Sequence, residues 1–415
     1  MTLTPKSQFK RWLSSPPRPH GDVIEDRSVS FLELFYDLAY VAVITQVAHR
    51  LAEDISVTGV VEFAIVFSMI WIAWFNGSLY VELHGREDGR TRLLVFIQMG
   101  LLVLMAVFAE HAADTSGEAF ALAYAAFLGL MTWHWYAVRR LDVIERPEYL
   151  GITAIYVGAM LVSTIAIAAT ALLAPDLRLV LWAVFSVAWL VGIQLAAIAP
   201  RYGMSEAIIP TDSLVERFGL FVIIVLGEVI FGVVGGLSAA EVDVKTITTG
   251  SLALIVGFGI WWIYFDLVGR RLPRRDRGTI SLWMLSHVPI TGAIVAVGAG
   301  MVGLIEHAHD ATTPPATAWL ISGATAVSLL ALIVTERSLA DAVRLASVYR
   351  PLTLALAAGA GVALFAGWAA PAPWVLALLL VAILTVLWFF AVAWMIRAGA
   401  WGTPLAEGEG SPGMA

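Results

Sequence analysis

The chain has 415 residues, of which 60% are hydrophobic and 14% charged, with a formal net charge of −7 and a mean hydropathy of +0.83. A water-soluble domain carries about 25% charged and about 45–50% apolar residues, so the solvent of this chain is a bilayer. Cysteine is absent, which removes disulfides, thiolate metal sites and cysteine nucleophiles.

In chain order, residues 1–29 are polar, with Pro16, Pro17 and Pro19 and no apolar h-region. They are expected to be a cytoplasmic segment rather than a cleaved signal. A membrane span needs about 20 mostly apolar residues. Twelve spans are predicted, at 31–51, 58–81, 92–110, 117–138, 149–173, 177–199, 213–236, 247–269, 279–304, 316–336, 350–370 and 372–396. The narrowest breaks fall at Ala174-Pro175-Asp176 and between Pro371 and Pro373, as in tight helical hairpins. Residues 397–415 are rich in Gly and Pro and are expected to form a disordered cytoplasmic tail. The fold class is therefore an all-α polytopic membrane protein of about twelve transmembrane helices.

Orientation follows from arginine and lysine in short loops, which stay in the cytoplasm. Lys6, Lys10, Arg11, Arg18 and Arg27 precede the first span. Arg86, Arg90 and Arg92 follow the second, and Arg139, Arg140 and Arg146 the fourth. Arg270, Arg271, Arg274, Arg275 and Arg277 follow the eighth, and Arg337, Arg344 and Arg350 the tenth. The intervening loops hold only Arg50, Arg178 and Lys245. This alternation places both termini in the cytoplasm and fits an even number of spans. It also accounts for the basic loops, so no nucleic-acid partner is expected.

The chain repeats itself. Residues 30–49, SFLELFYDLAYVAVITQVAH, align without gaps on the stretch from Ser213: Ser30 falls on Ser213, Glu33 on Glu216 and Phe35 on Phe218. Ala109-Glu110-His111-Ala112-Ala113-Asp114 matches Ile305-Glu306-His307-Ala308-His309-Asp310. Ile72-Ala73-Trp74-Phe75-Asn76 resembles Trp262-Ile263-Tyr264-Phe265-Asp266. Matches in the same order predict two six-helix repeats, 30–199 and 200–396. Six being even, both enter the membrane from the same side and are parallel repeats.

ELFYDLAYVAVITQVAH (33–49) and ERFGLFVIIVLGE (216–228) resemble the signature segments of the bacterial low temperature requirement A family, over about 28–396. Tyr36 stands where that family commonly has phenylalanine. The resemblance implies a polytopic protein of the bacterial cytoplasmic (inner) membrane. It implies no established substrate or reaction, since the family name comes from a cold-growth phenotype. A shorter stretch, Phe35-x-Asp37 followed by Ile44-Thr45, is similar to the first helix of potassium/proton channels with an FSDG-type motif. Here Leu38 replaces the glycine of that motif, and no arginine lies four residues before Phe35.

Ionisable groups inside spans are costly and mark sites. Glu33 and Glu216 each close an S-x-x-E pattern, from Ser30 and Ser213, which reads as a capping box or as a cytoplasmic entrance. Asp37 lies one turn beyond Glu33, and Arg217 at comparable depth in the other half. A buried pair of Arg217 with Asp37 or Glu33 is predicted, serving as an inner gate or as a structural clamp. Glu228, eleven residues past Arg217, falls roughly 16 Å deeper on the same stripe, near the midplane. It reads as a proton- or cation-coupling carboxylate or as a neutral structural acid. Gly227 and Gly232 beside it are expected to permit close helix approach. Gln46 and His49 share the opposite face of the first helix, with Gln46 as polar glue or path residue. His287, followed by Pro289 inside the ninth span, reads as a hydrogen-bonded packer or a site residue. The groups Glu110/His111/Asp114 and Glu306/His307/Asp310, with His309, read as a solvated acidic rim rather than metal ligands.

No Walker loop, nucleophile elbow or dinucleotide fingerprint is present, and no cofactor or metal is expected. The leading expectation is a transporter or channel for a small ion or solute, with membrane lipids around it and a homo-oligomer as an open arrangement. Glu228 is its central titratable site. Asp37, Arg217, Glu33, Glu216, Gln46 and His287 complete the polar centre. The alternatives are an intramembrane enzyme on a lipid-like substrate, with Glu228 and His287 as acid and base, or a non-catalytic membrane factor for growth in the cold.

Overall fold

The computed structural model describes residues 15–22, 27–198, 210–276 and 278–399, together with Phe9, Trp12 and Ile24. Twelve long helices fill them: α1 Phe31–Glu53, α2 Val57–His84, α3 Gly89–Ala109, α4 Gly117–Glu145, α5 Leu150–Thr170 and α6 Pro175–Ile198, then α7 Asp212–Ala239, α8 Val244–Leu267, α9 Thr279–Glu306, α10 Pro315–Arg337, α11 Ala346–Ala369 and α12 Pro373–Arg397. Each predicted span is one of these helices. Eleven are long and apolar enough to cross a membrane. The exception is α4, which is as long but holds His134, Arg139, Arg140 and Asp142 and runs to Glu145, past its predicted end at 138. Of the expected tail, Arg397 closes α12 and residues from 400 onward lie outside the described residues. So do the join at 199–209 and the basic residues Lys6, Lys10, Arg11 and Arg277.

The helices begin where side chains satisfy their first amides. Ser30, Ser56 and Asp88 accept from the backbone N–H of Glu33, Gly59 and Thr91. Proline opens α6, α10 and α12, where its missing N–H costs nothing. At the far end of α5, Arg178 of α6 donates to the carbonyls of Thr170 (3.1 Å) and, just past the helix, Leu173 (2.9 Å).

Two compact units emerge, one of 1–228 with 276–281 and one of 229–275 with 282–415. The division falls inside α7, at Glu228. In the first unit α1 packs on α2 and α3, α2 on α4 and α6, α4 on α3 and α5, and α5 on α6. Uncharged polar pairs stitch these contacts: Tyr156 to Asn76, Trp189 to Ser163 at 2.9 Å and Tyr124 to the Met69 carbonyl at 2.8 Å.

In the second unit α8 packs on α10 and α12, α10 on α11 and α12, and α11 on α12. Gly232 of α7 sits so close to α9 that an added Cβ would strike the Gly298 carbonyl. The loops after α8 and α10 meet through Arg274 N–H to Ser338 O and Ala340 N–H to Leu272 O, both 2.9 Å. The structure has no strand among the described residues, only an isolated antiparallel bridge between Pro273 and Leu339.

Candidate functional site

The site grows from the first turn of α1. The Ser30–Glu33 capping box forms, with Glu33 N–H bonding the Ser30 hydroxyl and Ser30 N–H bonding Glu33 Oε1, each at 3.3 Å. The box fixes Glu33 but does not use up its carboxylate. Arg27 Nη2 reaches both oxygens at 2.9 Å, and Arg217 Nη1 donates to Oε2. One turn on, Asp37 Oδ1 accepts from the Trp74 indole at 2.9 Å and stands 3.5 Å from Arg217 Nη2. Arg217 therefore meets both carboxylates that the pattern nominated. Arg217 and Asp37 are each 0% exposed, so each charge has the other as its compensation in a buried place. An aromatic wall backs them: the Trp74 ring stacks on Phe221 of α7, centroids 4.0 Å apart.

Glu82, in the last turns of α2, extends this cluster. Its Oε1 accepts from Thr211 (2.8 Å) and Ser213 (2.7 Å), and its Oε2 from Arg27. The predicted span ended at residue 81, which put Glu82 in a loop. The signal was its place one residue past an apolar run that continues as helix to His84.

The second expected capping box is corrected. Ser213 lies inside α7 with its hydroxyl drawn to Glu82, and the Leu214 N–H is taken by Thr211 Oγ1 at 3.1 Å. Glu216 instead accepts from the Val29 N–H at 3.2 Å. The pre-helix segment is tied in at the same end. Arg18 donates to the Glu82 carbonyl, and its backbone N–H bonds the His84 carbonyl at 3.0 Å. Burial, then the neighbouring Arg27, pull the Arg18 guanidinium below its ordinary pKa. His20 Nδ1 donates to Asp142 at 3.0 Å, and the ring lies flat on Tyr149. Nothing in the spacing of His20, His84 and Asp142 announced this group.

Glu228 is buried, 4% exposed. Its Oε1 accepts the Thr45 hydroxyl at 2.5 Å. No Lys, Arg or His nitrogen among the described residues lies within 4.0 Å of it. Gly227 is corrected: a Cβ there would meet nothing within 4 Å, so only Gly232 marks a close approach. Gln46 is half-buried. His49 is exposed and bonds Glu110 at 2.9 Å.

His287 lies in the second unit. Its Nδ1 donates to the Trp283 carbonyl at 2.8 Å, so Nε2 is the acceptor for the Tyr264 hydroxyl at 2.9 Å. Both ring nitrogens are engaged, which suits packing better than a free acid–base group. Of the acidic rims, His309 turns to Asp243 at 3.2 Å and His307 to the Gly303 carbonyl. Among the described residues only His49, Glu53 and Glu110 bring three metal-type ligand atoms within 4.8 Å of one another, and the first two are exposed.

Long apolar helices around a buried charged clasp define a multi-pass membrane protein. The chain belongs to the bacterial low temperature requirement A (LtrA) family, whose description matches residues 28–394, from just before α1 into α12. An uncharacterized protein of Rhizobium meliloti (strain 1021) is 28% identical over 306 residues, covering 70% of this chain and 72% of its own length. No solved structure matches the chain.

Proposed function

We propose that this LtrA-family protein moves a small ion or solute across the bacterial cytoplasmic membrane. Glu228 is the titratable site on the path, and Arg217 with Glu33, Asp37 and Glu216 forms the inner gate. The observation that carries this is Glu228 itself: a buried carboxyl well inside a spanning helix, held by one hydroxyl, with no cation beside it among the described residues. A group so expensive in a membrane is kept for function by default. The clasp supports the reading, since three carboxylates (Glu33, Asp37, Glu82) close on Arg217 and Arg27 at one end of the same helices.

Duplication is part of the proposal. In the first unit α4 packs on α5, α2 on α6, α2 on α4 and α5 on α6. In the second, α10 packs on α11, α8 on α12, α8 on α10 and α11 on α12. Adding six to each helix number turns one set into the other, which supports two six-helix repeats. The arginine-bearing loops support cytoplasmic termini.

Flux of protons and potassium into liposomes, compared between wild type and Glu228→Gln, tests the proposal. Flux lost in the variant supports it. Flux that survives removes Glu228 from the path. No flux of either ion in folded wild type removes both as cargo, and a solute-uptake screen then decides between transport and a non-transporting membrane factor.

A further inference from the structure

The second unit holds a buried acid that the proposed path does not use. Glu336 lies in the last turn of α10 and is 1% exposed. Its Oε1 accepts the Thr353 hydroxyl of α11, and its Oε2 has no hydrogen-bond partner among the described residues. No Lys, Arg or His nitrogen among them lies within 4.0 Å. A carboxylate ion removed from water needs a counter-charge or several donors, and here it has one hydroxyl. A neutral acid fits what is present. One oxygen accepts from Thr353, and the other carries a proton.

The surroundings offer a way for that proton to come and go. Tyr349 stands one turn before Thr353 on the same face of α11, and its carbonyl, 2.9 Å from the Thr353 hydroxyl, shares that hydroxyl's one proton with Glu336. The Tyr349 hydroxyl donates to Asp341 Oδ1 at 3.4 Å. Asp341 pairs with Arg271, and both side chains reach solvent, 17% and 20% exposed. The other charged or titratable groups on elements packed here include Arg337 on α10 itself, Arg350 on α11, Tyr264 and Asp266 on α8, Arg397 on α12, and His287 on α9, whose neighbour Ser286 bonds Thr335. None of them is an ion-pair partner of Glu336.

We propose that Glu336 is a proton-binding site of the second unit, exchanging its proton with the Asp341–Arg271 loop pair by way of Tyr349. On release the proton ends on Asp341 or on water, Glu336 is left as a carboxylate, and no heavy-atom bond changes. The proposal stands independently of the transport reading.

Infrared spectroscopy of the purified full-length protein at neutral pH tests it. The protonated-carboxyl C=O band is expected to lose intensity in Glu336→Gln beyond any loss in Glu228→Gln. Thr353→Val, which removes the one donor, is expected to move that band to higher frequency. Tyr349→Phe is expected to keep the band and slow its exchange in heavy water several-fold. Loss of a carboxylate band in place of the acid band in Glu336→Gln overturns the proposal, and so does an unmoved acid band in Thr353→Val. Unaltered exchange in Tyr349→Phe overturns the route.

Discussion

Thr45 donates its hydroxyl to Glu228, 183 positions further along the chain. That separation equals the one between Ser30 and Ser213 in the gapless internal alignment (213 − 30 = 183). Two positions that correspond in the alignment therefore touch. The bond also has an energetic consequence. Thr45→Val leaves a buried carboxyl without its donor, and the expected cost is about 1–3 kcal/mol. It is read as a lower unfolding midpoint in detergent, with Thr45→Ser close to wild type. Equal midpoints for all three proteins would count against the bond.

Arg217 gives a larger effect. Arg217→Met strands Asp37, which is buried and has no other ion-pair partner among the described residues, while Glu33 keeps Arg27; it is expected to cost about 3–5 kcal/mol. Adding Asp37→Asn removes the stranded charge and is expected to recover most of the loss. Failure of the double variant to recover would show that the clasp contributes by shape rather than charge.

Two glycines five residues apart on α7 (232 − 227 = 5) are expected to behave oppositely. Gly232→Ala drives a methyl into the Gly298 backbone and should cost about 1–3 kcal/mol. Gly227→Ala meets nothing within 4 Å and should be neutral or stabilising by up to about 1 kcal/mol through helix propensity. Thermal midpoints of the two single variants decide it.

Asp243 caps α8 and supplies an acid-side dependence. Its pKa lies below the ordinary value, chiefly because the Thr246 backbone N–H, then the Thr246 side chain, bond the carboxylate. The folded value being the lower one, the stabilisation is complete above the unfolded value of about 3.9. It is lost as pH falls through the folded value. Midpoints measured from neutral to acid pH should fall less steeply in Asp243→Asn than in wild type. Parallel curves would remove Asp243 as a contributor.

The absence of cysteine makes sidedness directly measurable. With cytoplasmic termini, Thr115→Cys between α3 and α4 should react with an impermeant maleimide in intact cells. Glu87→Cys between α2 and α3 should react only after permeabilisation. Both native residues are exposed. The reverse pattern would invert the topology.

What could be read from the residues alone is what a membrane enforces locally. A span must satisfy its own backbone, so apolar run length gave all twelve helices, and the S-x-x-E pattern at Ser30 gave a box closed within four residues. The same pattern at Ser213 failed because its hydroxyl found Glu82, 131 positions earlier, and a local rule cannot see a competing partner that distant. Arg217 was expected against Glu33 or Asp37 and takes both, since buried opposite charges have few places to go. Glu82 and Glu336 were hidden for a different reason. Each lies at the ragged end of an apolar run, where hydropathy cannot tell a solvated loop acid from one buried by a neighbouring helix. Only packing decides that, as it decides that Gly232 meets a backbone and Gly227 meets nothing.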